Sequence, residues 1–254
     1  MRVTVVTISY RDLPGLVKTR QSVAAQTWRD IEHVVVDGGS GEETERFLVS
    51  LRGVQTMSEP DKGRYDAMNK GIAASNGDLV WFMHAGDAFG SARAVQQVVE
   101  AVSGLEGQAY WGYGIARKID DRGECVGLFG DIPFSLRRFA LGGHPIPHQA
   151  AFFSRAIIDK VGHYELDHGL AADQLFMLRC AALVSPRVLP EIVCDFDTGG
   201  AGSTRSIGAH FKDMRRARRA VGISATGSEV EDAFWSGVQQ SIATAKRALG
   251  GRTR

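Results

Sequence analysis

The chain has 254 residues, with 30 Lys and Arg against 29 Asp and Glu and a formal net charge of +1. This balance gives no overall field that would favour nucleic acid, and 44% hydrophobic residues indicate a soluble globular protein rather than a disordered one. Three cysteines without CxxC spacing indicate free thiols rather than a metal or redox site. Because the chain opens on a strand and contains no bilayer-length apolar run, we expect it in the cytoplasm, alternatively at the inner face of the plasma membrane.

Short apolar runs alternate with helical patterns over the first hundred residues. Near-continuous apolar strands separated by helices are typical of a parallel sheet with right-handed crossovers. We expect Asp12 to cap the first helix, and Ser40 with Glu43 to form a capping box for the second. The predicted strands are Val3–Ser9, Glu32–Val36, Val54–Ser58 and Leu79–Met83, and the predicted helices are Leu13–Ala25, Gly41–Leu51 and Tyr65–Ala74.

The pattern changes after about Leu105, where strands and helices become irregularly spaced. We expect one α/β domain over residues 1–205 with a single, mostly parallel sheet, divided into a nucleotide-binding half (1–104) and an acceptor half (105–205). The predicted elements of the second half are a β-pair (Ala109–Ile119, Cys125–Gly130), a helix (Phe134–Leu141), a strand (Gln149–Phe153), a helix capped by Ser154 (Arg155–Val161), another helix (Ala171–Ala182) and an extended segment (Val188–Phe196).

Residues 206–254 form a predicted helical extension with helices Ile207–Val221 and Ser228–Leu249. The second helix carries an apolar stripe that includes Val230 and Phe234, and we expect this stripe to pack on the body of the protein, with contact to lipid as the alternative. The first helix carries a basic run. Such a run is either a solvated face or a contact with anionic lipid. Its members are Lys212, Arg215, Arg216, Arg218 and Arg219.

Carboxylates stand at the ends of two predicted strands. Asp37 precedes Gly38-Gly39-Ser40, and Asp87 follows the apolar run that begins at Leu79. Open α/β sheets bind ligands outside the carboxyl ends of their strands, and hard divalent cations prefer carboxylate oxygens. Asp87 is therefore a candidate metal ligand. Asp37 is a candidate for hydrogen bonds to a nucleotide, although a turn or helix-cap role explains it equally well from this motif alone.

Several segments together resemble glycosyltransferase family 2, whose members have the GT-A fold. The resemblance implies a hexosyl- or deoxyhexosyltransferase that moves a sugar, with inversion, from a nucleotide-diphosphate sugar (UDP, GDP or dTDP type) to an acceptor hydroxyl. By analogy with bacterial relatives, the acceptor is expected to be a cell-envelope saccharide or glycolipid. The segments are Thr4–Tyr10, Ser22–Trp28, Ile31–Ser40, Ser58–Gly71, His148–Ser154, Val161–Tyr164 and Leu170–Arg179.

The resemblance also assigns roles to individual residues. Asp173 would be the catalytic base that deprotonates the acceptor, and Asp87 would hold Mn²⁺ or Mg²⁺. The remaining expected roles are nucleotide binding for Thr7, Tyr10, Asp37 and Asp61, sugar or acceptor binding for His148 and Gln149, and a lid over the diphosphate for the loop with Gly199, Gly200 and Ser203.

The chain departs from the family pattern around its metal motif. In His84-Ala85-Gly86-Asp87 only the last carboxylate remains, so metal-independent transfer stays an alternative. Arg64 stands where relatives have a small or apolar residue, and it either binds a phosphate or is solvated. A nucleotidyltransferase and a non-catalytic sugar-nucleotide binding module remain open. A nicotinamide dehydrogenase is disfavoured because no G-x-G-x-x-G follows the first strand.

Overall fold

The computed structural model describes residues 1–199 and 206–250, with side chains described up to residue 245. Its first part follows the predicted alternation closely, because β1, β2 and β4 are buried apolar runs that must lie inside the sheet. The edge strand β3 is exposed or partly exposed along its length. The elements are β1 (Val3–Ser9), α1 (Leu13–Ala24), β2 (Ile31–Asp37), α2 (Glu42–Ser50), β3 (Val54–Ser58), α3 (Arg64–Ala74) and β4 (Leu79–Phe82).

The second part is built from shorter strands and helices, with 3₁₀ turns at His148–Ala150 and Leu166–Ala171. One helix, α4, was not predicted, although Val95, Val98 and Val99 are spaced for a helix and are buried. The elements are β5 (Ala88–Phe89), α4 (Ala94–Ala101), β6 (Trp111–Ile119), β7 (Cys125–Phe129), α5 (Leu136–Ala140), β8 (Ala151–Ser154), α6 (Arg155–Val161), α7 (Ala172–Leu183), β9 (Arg187–Asp197), α8 (Ile207–Val221) and α9 (Glu229–Gly250).

The strands of the described residues form one sheet in the order β3-β2-β1-β4-β8-β6-β9-β5, with β7 paired to β6. The first four strands in this order are parallel, whereas β8 runs antiparallel to both of its neighbours. The sheet is therefore mixed and continues through both halves of the domain. The expectation of one α/β sheet is confirmed, but the expected mostly parallel sheet is corrected to a mixed one, because four of its eight described pairings are antiparallel. Its parallel part brings the carboxyl ends of β1, β2 and β4 to one edge.

Apolar side chains cover both faces of this sheet. The neighbouring residues Trp81 and Phe82 of β4 belong to different core clusters, because successive side chains of a strand point to opposite faces. Phe82 packs with Phe153 and Phe176 in one cluster, and Trp81 packs with Val95 of α4 in the other. The rigid centre of the sheet thus lies directly beneath the polar segment 84–87 that follows β4.

Two of the predicted helix caps are confirmed and one is wrong. Asp12 accepts a hydrogen bond from the Gly15 amide, and Ser154 accepts one from the Ile157 amide. Ser40 does not cap α2, which begins after Gly41 without a side-chain cap. The reason is local, since the Ser40 hydroxyl donates to the Asp37 carboxylate instead.

The prediction that the apolar stripe of α9 packs on the body is wrong. Among the residues of this helix whose side chains are described (229–245), Asp232 and Ser236 are buried, whereas Val230 is 80% exposed and Phe234 is 64% exposed. A buried charge needs a partner, and the Arg218 guanidinium of α8 is fully buried against Asp232. The ion pair therefore turns the polar face of α9 inward. Among the described residues no helix combines the length and hydropathy that a membrane span requires.

Candidate active site

A cavity of about 1770 Å³ opens at the carboxyl ends of β1 and β4. Sites for one small ligand usually measure about 300–1,000 Å³, so this volume suits two substrates together. The strand ends, the segment before α3, the first turn of α7 and the end of β9 line one side. The helices α8 and α9 line another side, through Ile207, Phe211, Gln239, Ile242 and Ala243.

Tyr10, Asp61 and Arg64 line the cavity beside the turn that follows β2. Asp61 is held by the Gly63 amide, which donates to its Oδ1 at 2.8 Å. Gly38 is essential to this packing, because a Cβ there would lie 2.7 Å from Asp61 Oδ2 and 3.1 Å from Tyr10 Cδ2. The glycine lets a carboxylate and an aromatic ring approach each other at the cavity wall.

Thr7 and Asp37 lie behind this wall and do not line the cavity. The Asp37 carboxylate is buried and accepts hydrogen bonds from the Ser40 amide at 2.8 Å and from Ser58 Oγ at 2.8 Å. Thr7 Oγ1 lies 2.9 Å from Nε2 of the buried His33. These contacts give both residues a structural role in shaping the turn and the sheet. Direct contact of either with a nucleotide stays a prediction.

Asp87 meets a second carboxylate that the sequence analysis missed. The Asp197 amide donates to Asp87 Oδ1 at 2.8 Å, and burial, with a contribution from the nearby Asp197 charge, raises the pKa of Asp87 to about 7. Lys18 Nζ lies 3.8 Å from Asp197 Oδ2. The available signal was that Asp197 directly follows the predicted extended segment Val188–Phe196, and the structure makes it the last residue of β9. Asp87 is buried and the Asp197 side chain is 41% exposed, and together they form an oxygen-rich acidic corner suited to a cation.

The buried His148 and Gln149 and the partly buried His84 form a polar layer in the cavity wall. Gln149 Nε2 lies 3.3 Å from His84 Nδ1, and the Gln149 side chain also hydrogen-bonds Asp87. His148 Nε2 lies 2.7 Å from Tyr164 Oη. Burial lowers the pKa of His84 to about 3 and that of His148 well below its usual value, so both rings are neutral. The layer offers neutral polar contacts beside the acidic corner.

Asp173 lies in the first turn of α7 and lines the same cavity as Asp87 and Asp61. Its Oδ1 accepts a hydrogen bond from the Gln174 amide at 2.7 Å. The amino terminus of a helix favours the ionised form of a carboxylate, which is the form that accepts a proton. The structure thus brings together the predicted base and the predicted metal ligand.

The predicted lid falls only partly within the described residues. Gly199 lines the cavity, and its amide donates to Asp197 Oδ1 at 2.7 Å, so the segment begins beside the acidic corner. Gly200 and Ser203 lie outside the described residues. The lid therefore stays a prediction. Arg64, whose role the sequence left open, lies at the cavity wall together with Lys118 and Arg138.

Comparison with known proteins agrees with this architecture. The family model for glycosyl transferase family 2 matches residues 4–161. An uncharacterized glycosyltransferase of Mycobacterium tuberculosis is 47% identical over 219 residues, which are 84% of this chain and 82% of that protein. A PGL/p-HBAD biosynthesis glycosyltransferase of Mycobacterium bovis is 30% identical over 215 residues, which are 75% of this chain and 74% of that protein.

Two solved structures show the same fold. Residues 1–349 of S. aureus TarS in complex with UDP-GlcNAc superpose with a TM-score of 0.69 at 16% identity, covering 91% of this chain and 69% of that one. The mannosyltransferase PcManGT from Pyrobaculum calidifontis, in complex with GDP-Man and Mn²⁺, gives a TM-score of 0.58 at 16% identity and covers 98% of this chain and 75% of that one. The GT-A-like α/β fold is confirmed, and the family match spans more than half of the chain: it belongs to glycosyltransferase family 2.

Proposed function

We propose that this glycosyltransferase moves a sugar from a nucleotide-diphosphate sugar to an acceptor hydroxyl with inversion at the anomeric carbon. The observation that carries the proposal is the shared cavity of Asp87, Asp197 and Asp173, with a volume for donor and acceptor together. The sugar is expected to be a hexose or a deoxyhexose. A UDP, GDP or dTDP donor agrees with the UDP-GlcNAc and GDP-Man that occupy the two solved neighbours.

The donor is proposed to lie against the sheet side of the cavity. Tyr10 offers an aromatic ring to the base, and Asp61 offers a carboxylate to base or ribose hydrogen-bond donors. Arg64 begins α3, an 11-residue helix, so its guanidinium and the positive end of the helix dipole lie together. This combination suits the diphosphate. Asp37 supports the same region through the turn at Gly38. We also propose that Asp37 contacts the nucleotide directly.

The residues present fit a divalent cation, Mn²⁺ or Mg²⁺. Asp87 and Asp197 would hold it, because they place carboxylate oxygens in one corner where burial alone disfavours the ionised form of Asp87. When bound, the cation neutralises the charge that develops on the departing diphosphate. Gln149 orients the Asp87 carboxylate by a side-chain hydrogen bond, and His84 fixes the Gln149 amide from the other side.

Asp173 is the proposed base in a single displacement. One of its carboxylate oxygens takes the proton of the acceptor hydroxyl while that hydroxyl oxygen bonds to the anomeric carbon. The bond from the anomeric carbon to the diphosphate oxygen breaks, and the nucleoside diphosphate leaves with the electron pair. Attack opposite to the leaving group inverts the carbon. This step requires one base and no enzyme nucleophile, which agrees with Asp173 as the acidic residue in the first turn of α7.

The acceptor is proposed to be a cell-envelope saccharide or glycolipid. The relative from Mycobacterium bovis is described as a PGL/p-HBAD biosynthesis glycosyltransferase, which supports an acceptor of this kind. We propose a location in the cytoplasm or at the inner face of the plasma membrane, where nucleotide sugars and envelope precursors meet.

Calorimetry with a panel of nucleotide sugars, with and without Mn²⁺, tests the donor assignment. We expect one nucleotide class to bind and Mn²⁺ to tighten its binding. An assay for nucleoside diphosphate with envelope-type acceptors then tests transfer. Release of pyrophosphate would indicate a nucleotidyltransferase, and binding without release for every acceptor would indicate a non-catalytic binding module.

A further inference from the structure

The tail helices give the cavity an apolar side. Ile207 and Phe211 of α8 and Ile242 and Ala243 of α9 line it, and Ile146 lies at the cavity wall as well. His210 and Gln239 are the polar side chains that α8 and α9 add to this mainly apolar side. Sugars bind through many hydrogen bonds, and aliphatic side chains offer none. These side chains instead suit an apolar group that is attached to the acceptor sugar.

This apolar side continues onto the outer surface of α9. Ile242 lines the cavity and is nevertheless 45% exposed, while Val230, Phe234 and Trp235 are 80%, 64% and 39% exposed. Val230 and Phe234 are four residues apart, and Phe234 and Ile242 are eight apart, so they lie along one side of the helix. The opposite side holds the buried Asp232 and Ser236. An apolar strip therefore runs from the cavity to the solvent-facing surface.

The charged groups near this strip do not make it a site for electrostatic binding. Arg216 pairs with Asp167, Arg219 pairs with Glu229, and Arg218 is buried, so much of the basic run of α8 is already engaged. Glu231 is exposed near the start of the strip. The guanidinium of Arg137 lies 5.4 Å from the Trp235 ring. The contact that this surface offers is apolar, with aromatic rings of the kind found at lipid–water interfaces.

We infer that α9 rests on a membrane surface and that the acceptor is a lipid-linked sugar, whose apolar chain passes along the strip from the bilayer to the cavity. This inference rests on the proposed function and specifies its acceptor. A second copy or another protein seated on the strip would cover Ile242 and narrow access to the cavity. A bilayer at the same place supplies the acceptor. The strip and the apolar cavity side then belong to one binding path.

Flotation of the full chain with phosphatidylcholine vesicles tests the membrane contact. The double variant Phe234→Gln with Trp235→Gln should lower vesicle binding about 10-fold, because it removes most of the exposed aromatic surface. Val49→Gln is the matched control, since Val49 on α2 is 81% exposed and does not line the cavity. Wild-type binding should persist at high salt. Absence of vesicle binding, or a dimer that the double variant dissociates, would overturn the inference.

A pair of acceptors with the same sugar, one a methyl glycoside and one a dodecyl glycoside, tests the binding path. Wild type should prefer the dodecyl glycoside in kcat/KM, and Ile242→Gln should lower that preference about 10-fold. Val49→Gln should retain it. Equal use of both glycosides by the wild type would overturn the inference alone. If no nucleoside diphosphate is released with either glycoside or with any other acceptor, the proposed function is overturned as well.

Discussion

The two sides of the cavity are built on opposite principles. On the sheet side, strand ends and glycine turns hold charged groups such as Asp61 and Asp87 through backbone hydrogen bonds. On the tail side, α8 and α9 present aliphatic side chains such as Ile207 and Ile242. Charged leaving-group chemistry needs fixed dipoles, because electrostatic stabilisation depends on groups that do not reorganise. Apolar recognition needs only area, and two helices provide it.

The two sides also differ in how they are attached. The sheet side rests on apolar clusters that cover both faces of one continuous sheet. In the tail, α8 buries Phe211 and Met214, but α9 is joined to it through Arg218 and Asp232. The packing of the sheet side on two apolar clusters tolerates the loss of a single contact, and it suits chemistry that is common to a family. The attachment of the tail depends strongly on one buried ion pair, and we expect it to fail first.

The largest expected effect is at Asp173. Asp173→Asn should lower kcat by about 10²–10⁴-fold, because the amide cannot take the acceptor proton. Donor affinity, measured by calorimetry, should stay unchanged. Asp159→Asn is the control, since Asp159 is exposed on α6 and does not line the cavity. Normal turnover of Asp173→Asn would remove this residue from its proposed role.

The acidic corner gives the next effect. Asp87→Asn should weaken Mn²⁺ binding in the presence of donor and lower kcat by about 100-fold, since charge stabilisation by a metal amounts to several kcal/mol. Asp195→Asn is a matched control on the same strand as Asp197. The Asp195 carboxylate pairs with Arg117 Nε at 2.7 Å and does not line the cavity, so this variant should keep the Mn²⁺ affinity of the wild type. Equal Mn²⁺ affinity for Asp87→Asn and wild type would indicate metal-independent transfer.

The attachment of the tail is tested by Arg218→Met. Removing one partner of a buried ion pair typically costs about 3–5 kcal/mol, because the remaining charge stays buried without compensation. Urea unfolding should show this loss, while donor binding on the sheet side persists in the folded protein. The double variant Arg218→Met with Asp232→Asn should recover part of the stability, because it removes the buried charge and keeps an acceptor for the Ala225 amide. An undiminished free energy of unfolding in the single variant would contradict our account of how α9 is attached.

Gly38→Ala tests the close packing on the sheet side. The added Cβ would meet Asp61 Oδ2 at 2.7 Å, so we expect Asp61 to move and donor affinity to fall about 10-fold. Gly237→Ala on α9 is the matched control, because a Cβ there meets nothing within 4 Å. That variant should leave donor affinity unchanged and should stabilise the helix slightly. Equal donor affinities in all three proteins would show that Asp61 does not contact the donor.

The smallest effect concerns pH and the interior of the sheet. Burial lowers the pKa of His33 from 6.5 to about 3, so the unfolded chain takes up a proton before the folded one. The contribution of the neutral His33 ring to the free energy of unfolding is fully present above pH 6.5 and is lost as the pH falls toward 3. Between pH 6.5 and 5.5, His33→Gln should lose about 1 kcal/mol less than wild type in urea unfolding. If the free energy of unfolding changes equally with pH in the wild type and in His33→Gln, burial does not lower the pKa of His33.

Much of the sheet side was predictable from the sequence alone. Buried parallel strands are continuous apolar runs, so β1, β2 and β4 followed from pattern, and their carboxyl ends indicated Asp87 as a site residue. The partly exposed edge strand β3 followed from the alternation of strands and helices. The motifs of the family indicated its membership, which the comparisons confirmed. These features are local, because a strand, a cap or a turn depends on neighbours in the sequence.

Only the tertiary structure decided which distant groups meet. Asp197 joins Asp87 because β9 pairs with β5 and β6, and no local pattern contains that pairing. Thr7 and Asp37 turned away from the cavity, because the buried His33 and the turn at Ser40 engage them. The direction of α9 was set by the buried charge of Arg218, a cost that outweighed the apolar stripe. Hydrophobic periodicity identifies a helix, but buried charges decide which of its faces turns inward.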